Sequence, residues 1–570
     1  MKKWISLILV VCMMALAFAA CGKPAGTEPE TSTAPETSTA PEASTAPEAS
    51  EAPEATDEPI VFRYGNMGTW ADTKNPYVSV VSAGNLMFKD NIYESLCTKD
   101  PNNELMGVLA ESWEVSPDGC TWTFKIREGV KWHDGETMDA NDVYNSYRMA
   151  IEYEIPITWA NMKWIKDYQL IDDYTFSITT EAPKADIIVC LGLMITPEHI
   201  WNQFQSYEEI AAFENANPVG TGMFYYIDDK VDEYVRLGAN ENYWGTPVTG
   251  FDELMFVNFS DNDAMFQALQ AGDIDYCTIT TTQLEAAENS EGVTAHRFNQ
   301  SGWREIGFNC WQDPASKGNP LILDKVIRQA IDYSINYQTI IDYYKGGIAL
   351  TEKCLLPATH GKYHVTFDEN HPLYRPYDPE AGKALLEANG YKDTDGDGIR
   401  ESADGAPLAF RMAVIEENAR EMGLLVESDI EKIGIDIEII WVDGARMNEI
   451  IYDQNFDTDI YIWGWDLGPD DPSYTLSIMI TDNIGGRSDC NYSNPYYDEL
   501  YVKQAQTLDE EERVKIVHEM LEIIYEDVPY IIAYGDIGLE AYASGWTGWQ
   551  TQWEDSGYWN RFSWPTMKLA

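Results

Sequence analysis

Several groupings in this chain have residue types and spacings that suit chemistry. Asp393, Asp395, Asp397 and Asp404 fall at positions 1, 3, 5 and 12 of a calcium-loop pattern, with Gly398 at the tight turn. Carboxylates at alternate loop positions can converge on a hard divalent cation. Here Ile399 stands one place early, Arg400 takes the position that wants an apolar residue, and no helix clearly precedes the loop. A hairpin tip with Asp-Gly turns is the preferred reading, with structural calcium as the alternative. His360 and His364, with His371 nearby, invite a metal reading; Gly361 and the flanking Pro357 and Pro372 make an exposed loop cluster the expectation. His518-Glu519 begins a zinc-protease motif whose second His is absent. Trp463 and Trp465, two apart, share one strand face, as an apolar wall or as a stacking platform for a sugar ring. No GxSxG elbow or phosphate loop occurs. A secreted hydrolase is the alternative of another class: turnover marks the enzyme, and release of unchanged ligand marks a binding protein.

The charge balance narrows the partners. Ninety-five Asp and Glu stand against 38 Lys and Arg, for a formal charge of −57. Such a surface repels phosphate backbones, which excludes a nucleic-acid binder. It also disfavours an anionic ligand unless a local basic pocket reverses the field, and no basic run is visible. Nineteen Trp and 34 Tyr are ample for lining a cleft.

The elements that must position these residues begin after a non-globular front end. Residues 1–21 carry Lys2 and Lys3, an apolar stretch from Ile5 to Ala20, and small residues before Cys21, the layout of a secretory signal. A small-residue run ending in Cys-Gly resembles a lipoprotein lipobox, with Phe18 where Leu is usual. That resemblance implies a lipid on Cys21 and attachment to the outer face of a membrane. Residues 22–59 repeat a six-residue unit with Pro at 29, 35, 41, 47, 53 and 59 and no large apolar residue. Such a segment is expected to remain a disordered tether, reaching about 120 Å when extended. The signal carries two Lys and the tether one Lys against nine acids, so residues 60–570 keep −51 of the charge. Of nine cysteines, Cys12 leaves with the signal and Cys21 takes lipid. The other seven have no CxxC spacing, and mostly buried free thiols are expected.

Within the body, Ile60–Tyr64 reads as a strand. Glu111–Val115 and Thr121–Ile126 alternate around Ser116–Gly119 as a hairpin. Asp139 caps a predicted helix running to about Tyr153. Further on, helical spacing over Leu323–Tyr344, Glu380–Asn389, Glu416–Lys432 and Met447–Tyr452 interleaves with strands at Leu408–Val414, Ile435–Val442 and Asp459–Trp463. That alternation predicts an α/β unit with a largely parallel sheet. Two helices within Pro495–Asp527 and a strand Tyr530–Tyr534 follow.

The block from Ile92 to Ala150, together with GDIDY at 272–276, DKVIRQAIDYSIN at 324–336, YDPEAGKALLEANGY at 377–391 and WGWDLGPDDPSY at 463–474, resembles the extracellular solute-binding proteins of family 5. The resemblance covers residues 60–570. It implies an α/β, periplasmic-binding-protein-like clamshell of two lobes plus an extra domain. Domain I would comprise 60–104, 219–312 and 536–570, domain II the insertion 105–218, and domain III 313–535. It implies a monomeric receptor that hands a short peptide to the permease subunits of an ABC importer; oligosaccharide, nickel and haem receptors share the fold. Matching positions would contact ligand at Val81, Ser82, Ala83 and at Trp463, Gly464, Trp465, with Trp303 facing the cleft or packing in the core. Relatives hold the peptide's amino terminus with an Asp three residues after the Trp of a GW pair. That position is Gly468 here, leaving Asp466 as the amine ligand or as a turn-capping residue.

Overall fold

The computed structural model describes residues 58–68, 73–78, 89–101, 104–453, 456–466, 471–552 and 556–570. The signal, the tether, Cys21 and the Val81–Ala83 segment lie outside the described residues.

Two long strands organise the body. Val293–Phe308 and Tyr530–Ala543 run antiparallel through the middle of a ten-stranded sheet. Their pairing slips twice: Val293–Asn299 opposes Ala543–Ile537, the register breaks between Asn299 and Trp303, Trp303 then opposes Gly535, and a second shift falls between Arg304 and Glu305. Beyond the break on one side lie Tyr276–Thr278, Val61–Met67, Glu253–Phe259, Tyr234–Ala239 and Phe224–Lys230, in that order. On the other side lie Ile460–Trp465, Ala409–Ile415 and Asp436–Val442. The last three are mutually parallel, with the helix Glu416–Glu431 between the second and third in sequence, as the strand–helix alternation predicts.

A four-stranded antiparallel sheet is inserted between the first strand and the rest. It contains the expected hairpin, Ala110–Val115 with Thr121–Ile126. The turn closes through Gly119 N–H to Ser116 O at 2.8 Å, with Gly119 at φ +73, where only glycine sits at ease. The helix Ala140–Glu152 packs nearby. Asp139 caps it by accepting from Asn141 N, while Asp142 returns a bond to the Asp139 backbone N–H.

The predicted helix over Leu323–Tyr344 is interrupted. Lys325–Ser334 is α-helical, and Asn336 then opens a new short turn by accepting from Thr339 N, while its own N–H goes to Asp429. A side chain able to cap has outcompeted helix continuation. The Tyr530 strand runs to Ala543, well past Tyr534, because its second half pairs across the body.

Separate apolar cores fill the body. A large one spans Trp303 to Tyr534, one lies under the small sheet, and two flank the strand Val61–Met67. The cysteines from Cys97 to Cys490 are free thiols, all buried save the half-buried Cys120. Burial pushes Cys97, Cys190 and Cys277 up to about 12, so they stay protonated and inert.

Candidate functional site

The strand Ile460–Trp465 pairs along its whole length with Phe308–Trp303. On its other edge only Ile460 and Tyr461 meet Met412 and Ala413. From Ile462 to Trp465 that second edge has no strand partner among the described residues. This open edge lies beside the register break, where the long strands pass from one half of the sheet to the other.

Cross-strand pairing sets the faces. Trp465 stands opposite Trp303 and Trp463 opposite Glu305, so these four share one face. Trp463 and Trp465 are half-buried and pack against the edge of the large core. Trp303 is fully buried within the large core, and its indole N–H has no partner among the described residues. The ligand contact expected at Trp303 is therefore not open in this structure. The Trp465 indole donates to Asp489 Oδ2 at 3.1 Å, and Tyr530 O–H donates to the other Asp489 oxygen. Burial lifts the Asp489 carboxyl to about 7. Glu305, also fully buried, has no side-chain hydrogen-bond partner among the described residues; burial and then the Asp489 charge push it well above the usual carboxylate range. Glu305 therefore carries the proton of the pair, and Asp489, with two donors, is the one that ionises.

The opposite face belongs to Arg304. Its guanidinium crosses Gly464, where an added Cβ would lie 2.3 Å from Arg304 Cδ. Nη1 donates to Trp303 O at 2.9 Å and to Asp466 Oδ1 at 3.3 Å, and lies 3.1 Å from Asp536 Oδ2. Lys345 Nζ approaches Asp536 from the other side at 3.4 Å. Asp466 is thus engaged by a protein cation, although its side chain remains 81% exposed.

A second feature is a cavity of about 610 Å³ lined by the segment 90–99, the helices Pro156–Met162 and Ile188–Leu191, and the segment 559–564. Tyr93, Met162, Met194, Trp559 and Trp564 supply its apolar lining. Asp90 lines this space, and desolvation lifts its carboxyl to about 7 against the pull of Lys89 and Arg561. Glu94, at its edge, is saturated: it accepts from Tyr243 O–H and Trp244 Nε1 at 2.8 Å, and from Thr221 O–H and Arg561 at 3.0 Å. It ties three chain segments together.

The remaining sequence candidates separate. The 393–404 loop is a hairpin tip, closed by the Lys392–Glu401 bridge. Asp393 Oδ1 caps Gly396 N, and Asp397 Oδ1 caps Ile399 N. Asp393, Asp395 and Asp397 do converge, but with Glu401; Asp404 turns away to accept from Ser402. Contrary to the exposed cluster expected, His360 is buried and burial lowers it to about 4. His364 bonds Leu356 O at 2.7 Å and His371 faces Glu522, so the three histidines face different partners. Arg304, Glu305, Asp489, Asp536 and Asp90 were not singled out from sequence. The available signal was Arg304-Glu305, two adjacent charges inside an otherwise apolar strand.

Two lobes sharing one sheet across a two-strand crossover, with an open strand edge at the crossing, define a two-lobed solute receptor. The chain matches the bacterial extracellular solute-binding proteins, family 5, over residues 104–486, and it belongs to that family. It is 26% identical to Heme-binding protein A of Haemophilus influenzae, across 77% of this chain and 81% of that protein. It is 25% identical to the oligopeptide-binding protein AppA of Bacillus subtilis, across 78% of this chain and 80% of that one. The structure of AppA in complex with a nonapeptide superposes with a TM-score of 0.67 at 23% identity, covering 90% of this chain and all of that one (100%).

Proposed function

We propose that this protein captures a short peptide between its lobes and delivers it, chemically unchanged, to the permease of an ABC import system. The observation that carries the reading is the open Ile462–Trp465 edge. An extended peptide laid there completes the missing ladder of main-chain bonds, which gives affinity without demanding a side-chain sequence. Trp463 and Trp465 then wall the side-chain space, and the 610 Å³ cavity beside Asp90 offers room for a further ligand group. Val81, Ser82 and Ala83, matched through the family resemblance alone, are further proposed ligand contacts. The relatives, an oligopeptide-binding and a heme-binding protein, support a receptor and leave the ligand class to experiment. The lipid on Cys21, the tether, residence on the outer membrane face and a monomeric state complete the proposal, as does the three-domain division drawn from the resemblance.

Isothermal calorimetry with a peptide panel, run beside oligosaccharides, haem and a nickel–histidine complex, tests it. Heat from peptides, recovered intact by mass spectrometry, is the expected result. A response to a sugar, haem or nickel alone overturns the peptide assignment, and cleaved product overturns the receptor.

A further inference from the structure

We propose that Arg304 reads a carboxylate of the ligand and that Asp466 holds that place until the ligand arrives. The proposal rests on the receptor reading above and specifies the ligand chemistry at the end of the open strand edge.

Four charged groups meet at the crossover: Arg304, Lys345, Asp466 and Asp536. Asp536, its side chain only 10% exposed, lies between the two cations, 3.1 Å from Arg304 and 3.4 Å from Lys345. One carboxylate cannot balance two cations, so the second negative charge comes from Asp466. The two acids are held very differently. Asp536 is enclosed, whereas Asp466 is 81% exposed and touches Arg304 through a single 3.3 Å contact. An ion pair so exposed is worth little and is cheaply exchanged. Arg304, by contrast, is fixed: Nη1 bonds its own strand at Trp303 O, and its stem lies in a channel that Gly464 leaves open. Gly302 clears the other side, since a Cβ there would lie 2.8 Å from Asp466 Oδ1 and 3.4 Å from Asp536 Oδ2. Glu305 lies on the opposite strand face and is held protonated, so it adds no charge.

With Asp466 swung outward, Arg304, Lys345 and Asp536 leave one net positive charge, a local basic pocket in a protein of charge −57. A ligand carboxylate reaching the end of the edge meets the same guanidinium. Once closure excludes water it gains more there than the solvated Asp466 does. The carboxylate belongs either to a peptide carboxy terminus or to an acidic side chain.

Calorimetry on the full chain with one peptide as free acid, as carboxy-terminal amide, and as amide bearing an internal Glu separates these sources. The expected result is about tenfold tighter binding of a carboxylate form than of the plain amide. Arg304→Gln should erase that difference, Arg304→Lys should retain part of it, and Asp466→Asn should strengthen the acid several-fold. Should Arg304→Gln fail to fold, the acid–amide comparison in the wild type and the Asp466→Asn result decide. Equal binding of acid and amide overturns the Arg304 assignment while leaving the peptide receptor intact. Asp466→Asn weakening peptides with free amino ends, and sparing acetylated ones, overturns it in favour of Asp466 as the amine ligand. No binding by any peptide overturns the peptide reading itself, and this assignment with it.

Discussion

At the residue scale, the fate of a charge is decided by what encloses it. Arg513 and Asp471 are both about 5% exposed and meet through two 2.8 Å bonds, Nη1 to Oδ2 and Nη2 to Oδ1. Burial alone would raise Asp471, but the charge and bonds of Arg513 pull it below its ordinary value. Arg513→Ala strands a buried carboxylate and should cost roughly 3–5 kcal/mol in denaturant unfolding. Because Asp471 titrates low in the folded state, its contribution is present above about pH 4 and is lost as pH falls further. The Arg513→Ala variant should therefore show a shallower loss of stability in acid than the wild type. Asp489 has the opposite sign. Raised to about 7, it favours the folded state most below about pH 4 and loses that contribution as pH rises through 7. Thermal denaturation between pH 6 and 8 should accordingly fall more steeply for the wild type than for Asp489→Asn; parallel curves would remove Asp489 from the account.

At the element scale, the strand pair 303–308 with 460–465 depends on what is missing from it. Gly307 faces Tyr461, and a Cβ there would lie 2.1 Å from Tyr461 Cζ. Gly307→Ala should push the tyrosine off the pair, cost about 1–3 kcal/mol in thermal or denaturant unfolding, and weaken ligand binding by tilting the Trp463–Trp465 face. Loss of stability with unchanged affinity would show that the tryptophan face is set elsewhere. These elements were legible to different degrees. Asp139 announced its helix and Ser116–Gly119 its hairpin, because capping and turn chemistry act within a few residues. The strand from Tyr530 was seen at under half its length: residues 537–543 are strand because Val293–Asn299 pairs with them, a partner more than two hundred positions away.

At the scale of the whole molecule, the two halves of the sheet communicate through two strands that slip register where they cross. Ligand that contacts both sides of the crossover would bias closure of the two halves on it. Small-angle scattering should show the radius of gyration fall when peptide is added and stay unchanged when a non-binding oligosaccharide is added. Compaction that fails to accompany binding would mean that the lobes do not close on ligand. The acidity, the Pro-rich six-residue repeat, the free thiols and the α/β rhythm were all determined by the chain itself, since each is a property of composition or of neighbours in sequence. The family resemblance was legible too, through residues 92–150 above all. What only the tertiary structure decided is which charges face one another. Composition argued against an anionic ligand unless a basic pocket existed, and no run of Lys or Arg revealed one. Arg304 and Lys345 lie 41 positions apart in sequence and meet at Asp536 only because a strand, a helical turn and the crossover converge there. Coulomb interactions act through space, so a pocket built from such distant positions leaves no mark in the order of the residues.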